Sequence, residues 1–296
     1  MILKILQRFF APTALACLIW FAWSSRADLT ELAHGAEPVY LVVAIILWCL
    51  THTLAPIASM LIFGARGRPV GYRTAAGIHL EYLPARYVPG GIWHTVGRIA
   101  AFRNLGMDAR DLSTFVVVEN ALAVSTALVL GGSGIAALRG LDTWGQIGAL
   151  GALTGTALVF ALPFILRAKF LKAEAQLRLR IYVSLVALAG IYWTFAAAAF
   201  VAYVEAYSVL ASLLSPLETG AAYLLSWGIG FLAIFAPQGI GVFEIAAAEL
   251  LRGSASLTSV AALLAGFRLV ILVADAIMWG AGRVLRKRLS RSELAS

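Results

Sequence analysis

The feature that most limits this chain is a succession of long, uniformly apolar stretches. Pro38 to Phe63 contains no Asp, Glu, Lys or Arg, and at about 20 residues per crossing it can span a bilayer as a helix. Leu112 to Leu130, Ile147 to Leu166, Ile181 to Tyr203 and Leu257 to Gly282 repeat the pattern, and Phe9 to Trp23 reads as an uncleaved first helix. Barrel strands would alternate apolar with polar residues, and these stretches do not. Charged residues make up 13% of the chain, about half the share usual in soluble domains. The expected fold class is all-α: a polytopic membrane protein forming a single transmembrane domain over residues 1–296.

The net charge of +8 does not indicate nucleic-acid binding, because of where the charges lie. Most of the 23 Lys and Arg fall in clusters at Lys4 and Arg8, Arg66 to Arg73, Arg103 to Arg110, Arg167 to Arg180 and Arg283 to Arg291. An alternating topology puts all of these on one side, as the positive-inside rule requires. Both termini, including the basic tail 283–296, are then expected in the cytoplasm, with the chain in the inner membrane. Cys17 and Cys49 both sit within apolar stretches, so neither a disulfide framework nor a metal site is expected.

Two apolar stretches are broken. The first reads Tyr87-Val88-Pro89-Gly90-Gly91-Ile92 and the second Phe235-Ala236-Pro237-Gln238-Gly239-Ile240. They share the form aromatic-small-Pro-x-Gly-Ile and lie half of the 296-residue chain apart. Pro removes a backbone donor and Gly frees the backbone, so each interrupts a helix. Neither arm around the first break, from Ala75 to Ala101, is long enough to cross, and the basic loops flanking it belong on the same face. A re-entrant hairpin entered from the cytoplasm meets both conditions. At the second break, Thr219 to Ala236 could nearly span, whereas Gly241 to Leu251 could not. A crossing there would send the basic tail outside, so a second hairpin entered from outside is expected. The topology is then about six crossings and two hairpins, with repeat A over residues 38–130 and an inverted repeat B over 181–282. Paired breaks in inverted repeats point to a midplane binding site.

Charged residues within spans are costly, about 2.5–3.5 kcal/mol at the bilayer centre on insertion scales, and should face protein or a cavity. Glu119, Asn120, Arg268 and Asp275 are such residues. Shifted by half the chain, Glu119 and Asn120 fall on Phe267 and Arg268, which suggests either a structural ion pair or a headgroup site. Around the first break stand Arg86, Trp93, His94 and Arg98; Arg can hold phosphate with paired hydrogen bonds. The plainer readings are a positive-inside residue for Arg98 and a satisfied polar residue for His94. His79 and His94 lack the spacing of a metal motif. After the second break, Glu244 stands near a helix N-terminus, where it would cap the helix or border an anion site. The candidate substrate-binding set also includes Pro89, Gly90, Gly91, Pro237, Gln238, Gly239 and Gly241. No catalytic residue, metal ligand or cofactor motif is indicated.

The segments Arg86-Tyr-Val-Pro-Gly-Gly-Ile-Trp with Arg98 downstream, and Pro237-Gln-Gly-Ile-Gly-Val-Phe-Glu244, resemble the two signature regions of the lysyl-phosphatidylglycerol synthase transmembrane family. The second signature usually reads Pro-x-Gly-x-Gly-x-x-Glu, matched by Pro237, Gly239, Gly241 and Glu244. Members are bacterial and archaeal membrane proteins, free-standing or fused to aminoacyl-transfer or glycosyltransferase domains. In the fused synthases this unit is regarded as the lipid flippase. The resemblance runs from about Pro38 onward and implies a lipid translocase or lipid-binding protein. Its substrate would be an anionic phospholipid, an aminoacylated phospholipid or a polyprenyl-phosphate-linked lipid. No soluble transferase domain follows Arg291, so aminoacylation is not expected. A second reading is a non-transporting subunit presenting lipid to a glycosyltransferase or synthase. A third is an intramembrane lipid-modifying enzyme with Glu244 or His94 as general base. A second copy of the chain is a further candidate partner. If the breaks are the working parts, their turns should meet near the membrane centre, and Gly91→Leu or Gly239→Leu should abolish transfer. Ala196→Leu, in a plain span, is the expected tolerated control.

Overall fold

In the computed structural model, residues 36–88, 92–167, 177–207, 215–233, 242–251 and 257–293 are described. The first apolar stretch, Phe9 to Trp23, and both Pro-Gly turns lie outside them. Nine α-helices make up nearly all of the described residues: α1 (Pro38–Ala65), α2 (Tyr72–Glu81), α3 (Trp93–Asn104), α4 (Ala109–Arg139), α5 (Thr143–Ile165), α6 (Leu179–Glu205), α7 (Pro216–Leu232), α8 (Val242–Leu251) and α9 (Leu257–Glu293). A 3-10 turn, Leu83–Tyr87, follows α2. Helices α1, α4, α5 and α6 and the segment Leu263–Val284 of α9 are long and apolar enough to cross a membrane. The protein is thus an all-helical membrane protein with five such helices among the described residues.

Their outward faces agree with that assignment. On α5 the side chains of Phe160 and Phe164 are 72% and 71% exposed. In water such a row of aromatic and aliphatic side chains would be an aggregation surface; in lipid it is the ordinary exterior.

Local sequence sets the helix limits. Pro38 opens α1 at a position whose N–H would be unpaired anyway. Asp108 and Asp111 form a reciprocal capping box at the start of α4. The Asp111 N–H that donates to Asp108 (2.8 Å) holds the Asp108 carboxyl below the usual carboxylate range. Asp142 caps α5, with the Gly145 N–H donating to it at 2.6 Å, and Ser215 caps α7. Gly140, with φ of 62°, ends α4 in a backbone conformation that other residues rarely adopt.

The apolar stretch that ends at Leu130 in the sequence continues as helix, through Gly131, Gly132 and Gly134, to Arg139. Its glycines serve close packing rather than chain reversal. A Cβ on Gly132 would press on the Gly148 carbonyl oxygen of α5, and one on Gly131 would meet the backbone of α7 at Leu225. Small residues at helix contacts let backbones approach within lipid, where dispersion replaces the hydrophobic effect as the packing force. Two internal prolines are also accommodated. Pro163 in α5 leaves the Val159 carbonyl without its usual donor, and the Tyr182 hydroxyl from α6 supplies one. Pro56 in α1 removes the donor to the His52 carbonyl in the same way.

Contacts between helix ends fix which termini lie together. Glu37 N–H donates to the Ala206 carbonyl at 2.9 Å, joining the start of α1 to the end of α6. Arg139 bonds Glu218 and the Leu250 carbonyl, gathering the ends of α4 and α8 and the start of α7. At the opposite end of α1 and α4, Arg66 bonds Asp111 at 2.6 Å.

Buried apolar side chains form two clusters. One contains Trp48, Val124, Trp193, Phe200, Tyr223 and Phe267. The other contains Ile62, Phe63, Phe102, Phe115, Leu122 and Leu185. Along α1 the changeover falls between Trp48 and Ile62, and along α6 between Leu185 and Trp193. Thr51, His52 and Ser59, all buried polar side chains of α1, fall within this seam. Ala196, expected to tolerate Leu, belongs to the first cluster and is fully buried, so that substitution would overpack the core instead.

Candidate functional site

Asp275 on α9 is the centre of the polar seam. Its Oδ1 lies 2.7 Å from His52 Nε2 and accepts from Trp48 Nε1 at 3.3 Å, both on α1. Its Oδ2 accepts from the Tyr87 hydroxyl at 3.0 Å and from Arg86 Nη1 at 3.3 Å, both on the 3-10 turn after α2. Four donors from two elements converge on one buried carboxylate. A carboxylate in the interior must be paired and hydrogen-bonded to persist, and this one is fully occupied. Tyr192 of α6 lies beside Arg86 and Thr51, and the Thr51 hydroxyl donates to the Trp48 carbonyl at 2.6 Å.

A second group follows the first break in the chain. Arg98 of α3 makes two parallel hydrogen bonds to Glu119 of α4, each 2.8 Å, and a longer one of 3.3 Å to Ser59 Oγ of α1. Its guanidinium lies 4.7 Å from the centre of the Phe115 ring. Arg98 is 3% exposed and Glu119 24%, so the acid is the partner that faces the accessible side. The Arg98 Nε–H has no acceptor among the described residues.

His79 of α2 connects the groups. Its Nε2 lies 3.2 Å from His52 Nδ1, and its ring meets that of His94 edge-on at 5.5 Å. His79 Nδ1 and His94 Nε2 are buried without partners among the described residues.

The second break carries a counterpart. Glu244, in the first turn of α8, pairs with Arg268 of α9. The expected partner of Arg268 was Glu119, but each residue pairs within its own half. Arg268 is exposed on a face of α9 from which it meets α8, whereas Glu119 faces α3. Arg98, read plainly as a positive-inside residue, is buried.

The other sequence candidates divide. Trp93 opens α3 next to His94, half-buried. Asn120 donates to the Val116 carbonyl of its own helix at 2.8 Å, which leaves it little reach for a ligand. Pro89, Gly90, Gly91, Pro237, Gln238, Gly239 and Gly241 lie outside the described residues, as do the two turns that were to meet. Sequence reasoning missed His52, Tyr87, Tyr192 and Ser59, and set His79 aside. A spacing rule for one helix does not apply to His79 and His94, which stand on separate helices. No family model and no curated protein matches the chain.

Proposed function

We propose that the protein binds and translocates a phosphate-bearing anionic lipid across the inner membrane. The two broken segments act as re-entrant hairpins of opposite orientation, and Phe9 to Trp23 supplies a sixth crossing. Both termini and the loops at Arg66 to Arg73 and Arg103 to Arg110 face the cytoplasm.

The observation that carries this reading is a matched pair of ion pairs. After the first break the short returning helix offers a base, Arg98, to an acid on the next long helix, Glu119. After the second break the short helix offers an acid, Glu244, to a base on the next long helix, Arg268. The arrangement repeats with its polarity reversed, which an inverted repeat with a shared charged midplane accommodates. Intramembrane charge of this kind is expensive and marks substrate paths more often than scaffolding. Arg86 and Arg98 suit a phosphate group, since guanidinium can pair two of its oxygens at once.

The test is transfer of fluorescent phosphatidylglycerol between leaflets of proteoliposomes holding the full chain, read by quenching of outward-facing label. Protein-dependent transfer is expected. Transfer no faster than in protein-free vesicles would refute translocation. Single cysteines at Arg68 and Gly140, labelled in intact cells, check the topology: position 140 should react from outside and position 68 should not.

A further inference from the structure

Asp275, His52 and His79 form a row of hydrogen-bonding groups whose donors and acceptors can be assigned from one another. An ionised carboxylate only accepts, so His52 Nε2 carries the proton it shares with Asp275 at 2.7 Å. In the neutral ring, His52 Nδ1 is then an acceptor, and the group facing it at 3.2 Å, His79 Nε2, must donate. This leaves the lone pair on His79 Nδ1. That atom is buried and has no partner among the described residues. The row thus has a carboxylate at one end and an unoccupied proton acceptor at the other. A metal reading is disfavoured, because both nitrogens of His52 are already taken and the described residues contain no group of three or more converging metal ligands.

We propose, building on the lipid-binding reading above, that Asp275, His52 and His79 form a proton-binding row that couples proton uptake to capture of a lipid phosphate by Arg86. A proton taken up at His79 Nδ1 allows His79 to pass its Nε2 proton to His52 Nδ1. His79 returns to neutral as the other tautomer, and the charge rests on His52 beside Asp275. One proton enters and no bond other than N–H is changed. His52, now cationic, holds Asp275 more tightly. Arg86 is the longer-bonded competitor for that carboxylate, at 3.3 Å, and it stands on the segment leading into the Pro-Gly turn. Its release frees a guanidinium for phosphate.

The charged and titratable groups around the row are few. Arg86 comes from the 3-10 turn, His94 and Arg98 from α3, Asp275 from α9 and His52 from α1; burial and then Arg98, His94, His52 and Arg86 oppose a charge on His79, while Asp275 favours one on His52. Tyr87, Trp48, Cys49 and Tyr192 complete the surround of Asp275. Arg98 is held by Glu119, which offsets its repulsion of a second cation. Arg86 is the cation whose departure most relieves a protonated row, and an arriving phosphate would neutralise it.

The experiment uses the full chain in phosphatidylcholine nanodiscs with a small fraction of fluorescent phosphatidylglycerol, whose phosphodiester stays ionised while pH is lowered from neutral through and below the ordinary imidazole range. Retention of the anionic lipid should tighten as pH falls, approaching tenfold per pH unit, the limit for one linked proton. His79→Gln keeps a donor toward His52 but cannot take a proton, and its retention should be independent of pH. Inorganic phosphate added in excess separates the ligand sources: displacement of the lipid would assign the site to soluble phosphate and overturn the lipid half of the coupling. Lipid retention that ignores pH in the unsubstituted protein would overturn the proton row while leaving the lipid reading intact. If no phosphatidylglycerol is retained at any pH, the lipid reading fails, and nitrogen-15 spectra of labelled histidine decide the row. Joint titration of His79 and His52 supports it; histidines that titrate singly, or not at all, exclude it.

Discussion

Removing Glu119 should reveal how the Arg98 pair is built. In Glu119→Ala, Arg98 keeps the Ser59 hydroxyl at 3.3 Å and the Phe115 ring at 4.7 Å but loses both 2.8 Å bonds to the carboxylate. Breaking a buried pair by deleting one partner costs about 3–5 kcal/mol, and exposing a lone charge at the bilayer centre costs about 2.5–3.5 kcal/mol on insertion scales. Glu119 is 24% exposed, so water reaches the vacancy and the lower end of these ranges applies, about 2.5–3 kcal/mol. At about 2 °C per kcal/mol for a chain of this size, the thermal midpoint in detergent should drop by about 5–6 °C.

The companion variant carries Arg98→Met and Glu119→Leu together. Replacing both ions with apolar side chains of similar size is often neutral or stabilising, so the double variant should melt within about 2 °C of the parent. With the single variants Arg98→Met and Glu119→Leu added to close the double-mutant cycle, the coupling should be about 2 kcal/mol or more. If Arg98 binds phosphate as proposed, both Glu119→Ala and the double variant should lose lipid transfer, because its guanidinium is either absent or stripped of the partner that positions it. Additive melting shifts, with coupling below about 0.5 kcal/mol, would refute the buried-pair argument. Full transfer by the double variant would reduce the pair to scaffolding.

Two further perturbations test the frame that holds the site. Gly132→Ala should lower stability, since its Cβ would press on the rigid Gly148 carbonyl, whereas Gly190→Ala, with nothing within 4 Å, should be neutral or gain about 0.5–1 kcal/mol of helix preference; equal melting points would refute the close α4–α5 contact. Asp108→Ala should lower the melting midpoint at neutral pH and flatten its acid limb. The native Asp108 carboxyl is depressed by its bond from the Asp111 backbone, so its contribution is complete above the usual carboxylate value and lost as pH falls through the lower native one. An acid limb unchanged by the substitution would refute the capping contribution.

How much of this was legible depended on whether a signal was one-dimensional. Length and apolarity identified α1, α4, α5, α6 and α9 directly, because a bilayer sets a minimum run of apolar residues. The cost of intramembrane charge singled out Glu119, Arg268 and Asp275. Their partners were less accessible. The half-chain shift aligned Arg268 with Asn120, next to Glu119, but each short helix packs on the long helix that follows it, so the pairs form locally as Arg98–Glu119 and Glu244–Arg268. Glycine misled at the end of α4, where Gly131 and Gly132 are contact surfaces inside a helix. His52 and His79 were hidden for another reason. One histidine on an apolar face carries little information, and its meaning depends on Asp275, far along the chain, lying 2.7 Å away.

The occupied state of every cation in the seam constrains how an anion could be bound there. Arg98 already holds a planar carboxylate through two parallel bonds, and Arg86 already meets Asp275 and Tyr192. A phosphate therefore cannot simply add to a free site. It must exchange with a carboxylate, and the two geometries match because both present paired oxygens to the guanidinium fork. Such an exchange conserves hydrogen bonds, so its free-energy change is set by where the displaced acid goes. Glu119 has an accessible side to move toward, whereas Asp275 is buried and keeps His52, Tyr87 and Trp48 when Arg86 leaves. Under the proposed function the two bases would have opposite roles in the exchange: at Arg98 the acid would move and the base stay, while at Arg86 the acid would stay and the base, carried just before Pro89, would move. A lipid phosphate passed between them would be received by a fixed arginine and a mobile one, which is the minimum a translocating site requires.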